Sequence, residues 1–146
     1  MRSTADREIV TTRVVEAPRG RVWKAWTDPQ QVAQWWGPNG FTNTIHEMDV
    51  RPGGVWRFVM HGPDGVDYKN RSVFVEIVKP ERIVFDHVSG PRFRVTATFA
   101  EEAGRTRLTW LMLFETVAEY EKVKGYAVEG NRQNLDRLEA ELARMG

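Results

Sequence analysis

Between about Val117 and Met145 the chain runs without a proline, is rich in Glu, Lys, Arg, Leu and Ala, and returns its apolar residues with a period near 3.6. A helix of about 28 residues spans about 42 Å, longer than a ten-residue strand at about 33 Å. One such helix can cross a whole sheet, so the preceding residues have to supply a sheet for it to lie on. They do so by alternation. Residues Ile9 to Glu16 are β-branched and read as a first strand. Past Phe41 the period becomes two: His46, Met48 and Val50 share one face, Trp56, Phe58 and Met60 the next, and Asp67 to Val78 forms a long strand whose alternation is disturbed at Phe74 to Ile77, as a bulge would do. Ile83, Phe85 and His87 follow, then Phe93, Val95, Ala97 and Phe99, then Leu108, Trp110, Met112 and Phe114. Gly and Pro turns between these segments make six hairpin-connected strands.

Four of the six tryptophans fall between Pro18 and Pro38, in a segment that reads as helix, kink at Asp28-Pro29, helix from Gln30 to Trp36, and loop. Rings this large need a broad apolar surface nearby. Adjacent residues of a helix cannot both face a core, so one of Trp35 and Trp36 is expected at a pocket mouth or on the surface. On the long helix Tyr120, Val123, Ala127, Leu138 and Met145 form a stripe interrupted by Asn131 and Asn134. Small and amide residues at the centre of a buried stripe are costly against a filled core and acceptable against a cavity. The expected fold class is α+β: a curved antiparallel sheet in the order β-αα-β6-α around a long C-terminal helix, with two short helices closing one end.

The 146 residues are expected to form a single domain, 1–146. Lys and Arg number 21 against 20 Asp and Glu, interspersed, which gives no electrostatic footprint for nucleic acid. Cysteine is absent, which excludes disulfides and thiolate chemistry. No apolar run reaches membrane-spanning length and the N-terminus has no signal-peptide pattern, so no membrane insertion and a cytoplasmic location are expected.

Four blocks carry a family resemblance: Arg21-Val-Trp-Lys-Ala-Trp-Thr-Asp-Pro29, Gln34-Trp-Trp-Gly-Pro38, Asp49-Val-Arg-Pro-Gly-Gly-Val-Trp-Arg-Phe58 and Glu76-Ile-Val-Lys-Pro-Glu-Arg-Ile-Val-Phe85. In this order they resemble the SRPBCC superfamily of START and birch-pollen-allergen-like proteins. Within it they look most like the subfamily homologous to the C-terminal domain of the heat-shock chaperone ATPase activator. The resemblance implies a helix-grip fold with a deep pocket for hydrophobic or aromatic small molecules.

The leading expectation is a protein that binds, sequesters or carries a small hydrophobic ligand. Its site is expected on Trp36, Phe41, His46, Met48, Trp56, Phe58, Met60, Phe85, His87, Phe93, Trp110, Met112, Phe114, Ala127, Asn131 and Asn134, a set rich in adaptable thioethers and aromatics. A second reading makes the pocket catalytic, cyclase-like or hydrolase-like, through His46, His87, Glu76 or Asn134. A third makes the protein a chaperone partner, by family name, or a homodimer through exposed Trp35, Trp36 and Phe41. No cofactor or metal is expected: the three histidines lack ligand-pair spacing, and His61 lies in a turn. The Asp49 to Phe58 block is assigned a structural role, with Gly53 and Gly54 supplying backbone freedom.

Overall fold

In the computed structural model, which describes residues 5–145, the first strand β1 (Glu8–Val15) leads into α1 (Arg19–Thr27) and α2 (Pro29–Trp35). A meander follows: β2 (Thr42–Met48), β3 (Val55–His61), β4 (Asp67–Val78), β5 (Arg82–His87), β6 (Phe93–Glu102) and β7 (Arg105–Phe114). The chain then enters α3 (Val117–Met145). The strands make one seven-stranded antiparallel sheet in the order β1-β7-β6-β5-β4-β3-β2. This is the α+β helix-grip arrangement expected from the sequence, with the expected bounds of the long helix.

The break between α1 and α2 has a local cause. Asp28 precedes a proline and is extended (φ −90°, ψ 117°), which ends α1. Its side chain then accepts a hydrogen bond from Gln30 N at 3.0 Å, while Pro29 fills a first-turn position where no N–H is needed.

Two bulges shape the sheet. In β4 the register shifts between Phe74 and Glu76, which turns Val75 outward and leaves Phe74 and Ile77 facing in. This is the parity change anticipated at Phe74 to Ile77. A second shift, between Ile45 and Glu47, was not anticipated. It places His46 as the extra residue, exposed, and turns Ile45 and Met48 toward the core instead of the expected His46 and Met48 pair. Each bulge bends its strand and increases the local twist.

The Asp49–Gly54 turn locks β2, β3 and β4 together. Gly54 accepts from Phe74 N, Gly53 donates to Phe74 O, and Arg51 Nε donates to Asp49 Oδ2 at 2.7 Å. A Cβ on Gly54 would lie 1.9 Å from the Asp49 carbonyl oxygen, so only glycine fits. The turn itself, Asp49 to Gly54, thus joins three strands, while Trp56 and Phe58 that follow it face inward.

The C-terminal half of α3 seats Leu135, Leu138 and Leu142 in the core, and its backbone lies nearest β1, β7, α1 and α2. Arg13 of β1 fixes the helix from outside through Asp136 (2.6 Å) and the Arg132 carbonyl (3.2 Å). The Met145 side chain lies outside the described residues. No helix among the described residues is long and apolar enough to cross a membrane.

Candidate functional site

The middle of α3 does not rest on the sheet beneath it. Between them lies an open cavity of about 1070 Å³, walled by β3 to β7 on one side, by α3 from Val123 to Asn134 on the other, and by the Trp36–Phe41 loop at one end. Strand alternation delivers Trp56, Phe58 and Met60 from β3, Phe85 and His87 from β5, Phe93 from β6, and Trp110 and Met112 from β7 to this wall. Helical spacing brings Ala127, Asn131 and Asn134 to face them.

Thirteen of the sixteen expected site residues therefore share one wall, Trp36 and Phe41 included. His46, Met48 and Phe114 do not. The β2 bulge turns His46 to solvent, and Met48 packs at the core margin. Phe114 faces inward but lies beyond the cavity, in ring contact with Phe93 (5.5 Å) and Tyr120 (5.9 Å). Ser72, Asn70 and Val95 also line the wall. Val95 was legible from its alternation with Phe93, and Ser72 shares its parity with Phe74, but its polarity hid it. Glu76, a candidate acid, lies off the wall in an ion pair with Arg82. Among the described residues no three His, Asp or Glu side chains form a metal-binding group.

The tryptophans differ from expectation in one respect. All six are buried, including both Trp35 and Trp36. The helix ends at Trp35, and Trp36 is extended (φ −65°, ψ 134°), so the two rings can point inward together. No surface for dimerisation through Trp35 and Trp36 remains. Trp36 is the hub of an aromatic cluster, with ring centroids 5.0 Å from Trp56, 5.4 Å from Trp35, 5.6 Å from Trp110 and 5.7 Å from Trp26. Such tilted and edge-to-face pairs add about 0.5–1.5 kcal/mol each beyond area burial.

Arg137 of α3 holds this end shut. Its guanidinium donates to five carbonyl oxygens, four in the loop after α2 and one in the last turn of α2: Gly37 and Phe41 at 2.8 Å, Pro38 at 2.9 Å, Trp36 at 3.2 Å and Gln34 at 3.3 Å. The planar fork of donors makes this possible where an ammonium could not. Gly37 sits at φ +99°, and a Cβ there would meet Met60 Cε at 2.7 Å, so the loop needs glycine at its tightest point.

His61 closes β3 instead of lying in a turn, and spans three strands through Asp67 Oδ1 (2.7 Å) and Thr44 Oγ1 (2.8 Å). Deeper, His87 stacks on Phe93 (4.6 Å, 8°), with Nδ1 2.8 Å from the Pro91 carbonyl oxygen and Nε2 2.8 Å from Asn70 Oδ1. Burial lowers its pKa from the ordinary 6.5, and the Pro91 contact offsets this only in part. Because the unfolded chain binds this proton more readily than the fold does, His87 contributes stability above about pH 6.5 that is lost as pH falls from there through the folded-state value. Across that window the slope from one proton approaches at most about 1.4 kcal/mol per pH unit. His87→Gln is expected to flatten the stability profile there. Urea unfolding of both proteins at neutral pH and about one unit below the ordinary histidine value checks it, and parallel profiles would refute it.

The family model for activator of Hsp90 ATPase homolog 1-like protein matches residues 16–143. Among solved structures, a protein from Arthrobacter aurescens is 25% identical at a TM-score of 0.90, over 99% of this chain and 90% of that one. A protein from Nitrosomonas europaea has a TM-score of 0.90 at 19% identity over 100% of both chains. An AHSA1-like protein from Aeromonas hydrophila has a TM-score of 0.77 at 24% identity, over 95% of this chain and 94% of that one. At those two identities the likeness is one of fold. None of the curated proteins compared matches the chain.

Proposed function

The chain belongs to the activator of Hsp90 ATPase homolog 1-like family, and from this premise we propose that it binds and holds, or carries, a small hydrophobic or aromatic molecule in the cavity under α3. The observation that carries this reading is the wall itself. A cavity of about 1070 Å³ is at the upper end of the range for small-molecule sites, and its lining is dominated by aromatic rings and the thioethers of Met60 and Met112. Covering such a surface with an apolar occupant removes it from water at roughly 25 cal/mol per Å². Apolar side chains outnumber the polar ones on the wall, as in sites that orient a ligand without solvating it.

The test uses Nile red, a neutral planar dye whose emission brightens and shifts to the blue on leaving water. Saturable binding with a rise in melting temperature is expected, because a ligand at a hundred times its Kd adds about 2.7 kcal/mol to the folded state. Ala127 lies on the wall in mid-helix. Ala127→Phe is therefore expected to fill part of the cavity and weaken the dye at least about tenfold, about 1.4 kcal/mol, while the unfolding midpoint holds or rises. Dye binding that ignores Ala127→Phe would place the dye elsewhere and remove the support for this reading.

A further inference from the structure

Thr44 of β2, His61 of β3 and Asp67 of β4 form a hydrogen-bonded chain that the binding reading above does not use. Asp67 Oδ1 lies 2.7 Å from His61 Nδ1, and His61 Nε2 lies 2.8 Å from Thr44 Oγ1. A carboxylate only accepts, so in the neutral ring Nδ1 carries the proton and donates to Asp67. That leaves the Nε2 lone pair to accept from the Thr44 hydroxyl. Hydroxyl, imidazole and carboxylate joined in this order are the nucleophile, base and orienting group of acyl-transfer sites, which recur on unrelated folds and in different chain orders. Both distances fall inside the hydrogen-bond reach that such sites require.

Strand register holds the three together. His61 pairs directly with Thr42 on β2 and with Asp67 on β4, and Thr44 shares the face of Thr42 two residues along. Met60 lines the cavity, so alternation turns Val59 and His61 to the other face of the sheet. The side chains of His61 and Asp67 are 38% and 61% exposed and Thr44 is exposed, so a reactant in water reaches all three. Water competes for such exposed hydrogen bonds, and fold stability is a weak reason for the arrangement. The next row of this face adds two parts: Val59 is the partner of Thr44 on one side and of Lys69 on the other. Val59 offers a small apolar floor beside the hydroxyl. Lys69, about 10 Å from Thr44 between Cα atoms at the usual strand spacing, is exposed and has no carboxylate partner among the described residues. Its flexible stem lets the ammonium cross Val59 to meet an oxygen that becomes negative beside Thr44.

We propose that Thr44, His61 and Asp67 form an acyl-transfer site that hydrolyses short-chain carboxylic esters. The Thr44 hydroxyl proton passes to His61 Nε2 as Oγ1 bonds to the ester carbonyl carbon, and Lys69 meets the oxyanion of the tetrahedral adduct. The adduct collapses by breaking its bond to the alcohol oxygen, which leaves with the proton held by His61, and the acyl group stays on Thr44. Water then attacks the acyl-threonine and gives its proton to His61, which returns it to Thr44 Oγ1 as the carboxylic acid departs. Thr44 and His61 are the catalytic residues, and Asp67 is a positioning residue that fixes the imidazole tautomer. The site stands whether or not the cavity under α3 binds a ligand.

Two probes test it on the full chain: turnover of p-nitrophenyl acetate, and a fluorophosphonate, which loses fluoride to an activated hydroxyl and stays bonded to it. Peptide mass mapping is expected to place the label on Thr44, and the label is expected to disappear in Thr44→Val and in His61→Gln. His61→Gln is expected to lower kcat about a hundredfold. Asp67→Asn, which frees the imidazole to take the wrong tautomer, is expected to lower kcat by about as much at unchanged KM, a split that a merely structural contact would not give. Lys69→Met is expected to cost about tenfold in kcat, less than the loss of a buried oxyanion donor. Urea midpoints establish that each variant is folded. Because a lone exposed imidazole also cleaves activated esters, His46→Gln, which removes the exposed histidine of the β2 bulge, is the control and is expected to leave kcat unchanged. Turnover that survives Thr44→Val, or a label that is absent or sits on another residue, would overturn the site.

Discussion

Arg137→Met, which keeps the aliphatic stem and removes the guanidinium, is expected to lower the unfolding free energy by about 3 kcal/mol. A single hydrogen bond to a charged group contributes about 1.5–3 kcal/mol. Arg137 makes five contacts to the end of α2 and the loop that follows, but they share one cation and one partly solvated rim, so their sum is far from additive. Arg137→Lys is expected to recover less than half of the loss, since a point charge with three donors cannot reach Gln34, Gly37 and Phe41 together. Urea midpoints at unchanged slope would measure both. A loss below about 1 kcal/mol for the methionine variant would show that the loop is held by its own turn and the tryptophan cluster, with the arginine incidental.

Trp36→Ala should cost about 4 kcal/mol, within the range for deleting a buried tryptophan. The ring touches Trp26, Trp35, Trp56, Phe85 and Trp110, and the surrounding rings cannot collapse into the gap without giving up their own tilted pairs. Trp36→Phe should cost about half as much. Because Arg137 grips the carbonyl of this same residue, the double variant should lose less than the sum of the two singles, by about 1 kcal/mol. Full additivity in that cycle would mean that the ring and the strap stabilise separate parts of the molecule.

The architecture was legible because its two periods are clean: α3 and the alternation of β3, β5, β6 and β7 were placed from apolar spacing alone. Positions along a strand were harder. Trp110, Met112 and Phe114 share a face by parity, yet only curvature decides that the first two meet the cavity and the third passes its end. The bulges explain the other differences. Ile45 and Met48 in β2, like Phe74 and Ile77 in β4, are inward residues three apart, a spacing that strict alternation forbids and a bulge permits. In β4 the run of apolar residues made the conflict visible. In β2 the neighbouring polar residues let a regular strand pass unchallenged, and His46 was read as inward. A helix through both Trp35 and Trp36 would send one ring outward, but the backbone leaves the helix between them, so both are buried and Trp36 still reaches the cavity wall. Ser72 is not legible from apolar periodicity, which cannot register a polar residue on a buried face.

The order of the sheet also bears on how the molecule assembles. Five of its six strand pairings join neighbours in sequence and can zip up one hairpin after another, whereas the pairing of Glu8 with Leu113 spans the meander and both short helices. Closing a loop of about a hundred residues carries the largest entropic cost of any step and is repaid only once the rest is ordered. During synthesis β1 therefore waits, unpaired, until β7 has emerged. Since Arg13 on β1 anchors Asp136 and Arg132 of α3, the helix gains its last anchor only when that final strand docks. The cavity is a late product of folding, closed by the joining of the first strand to the last.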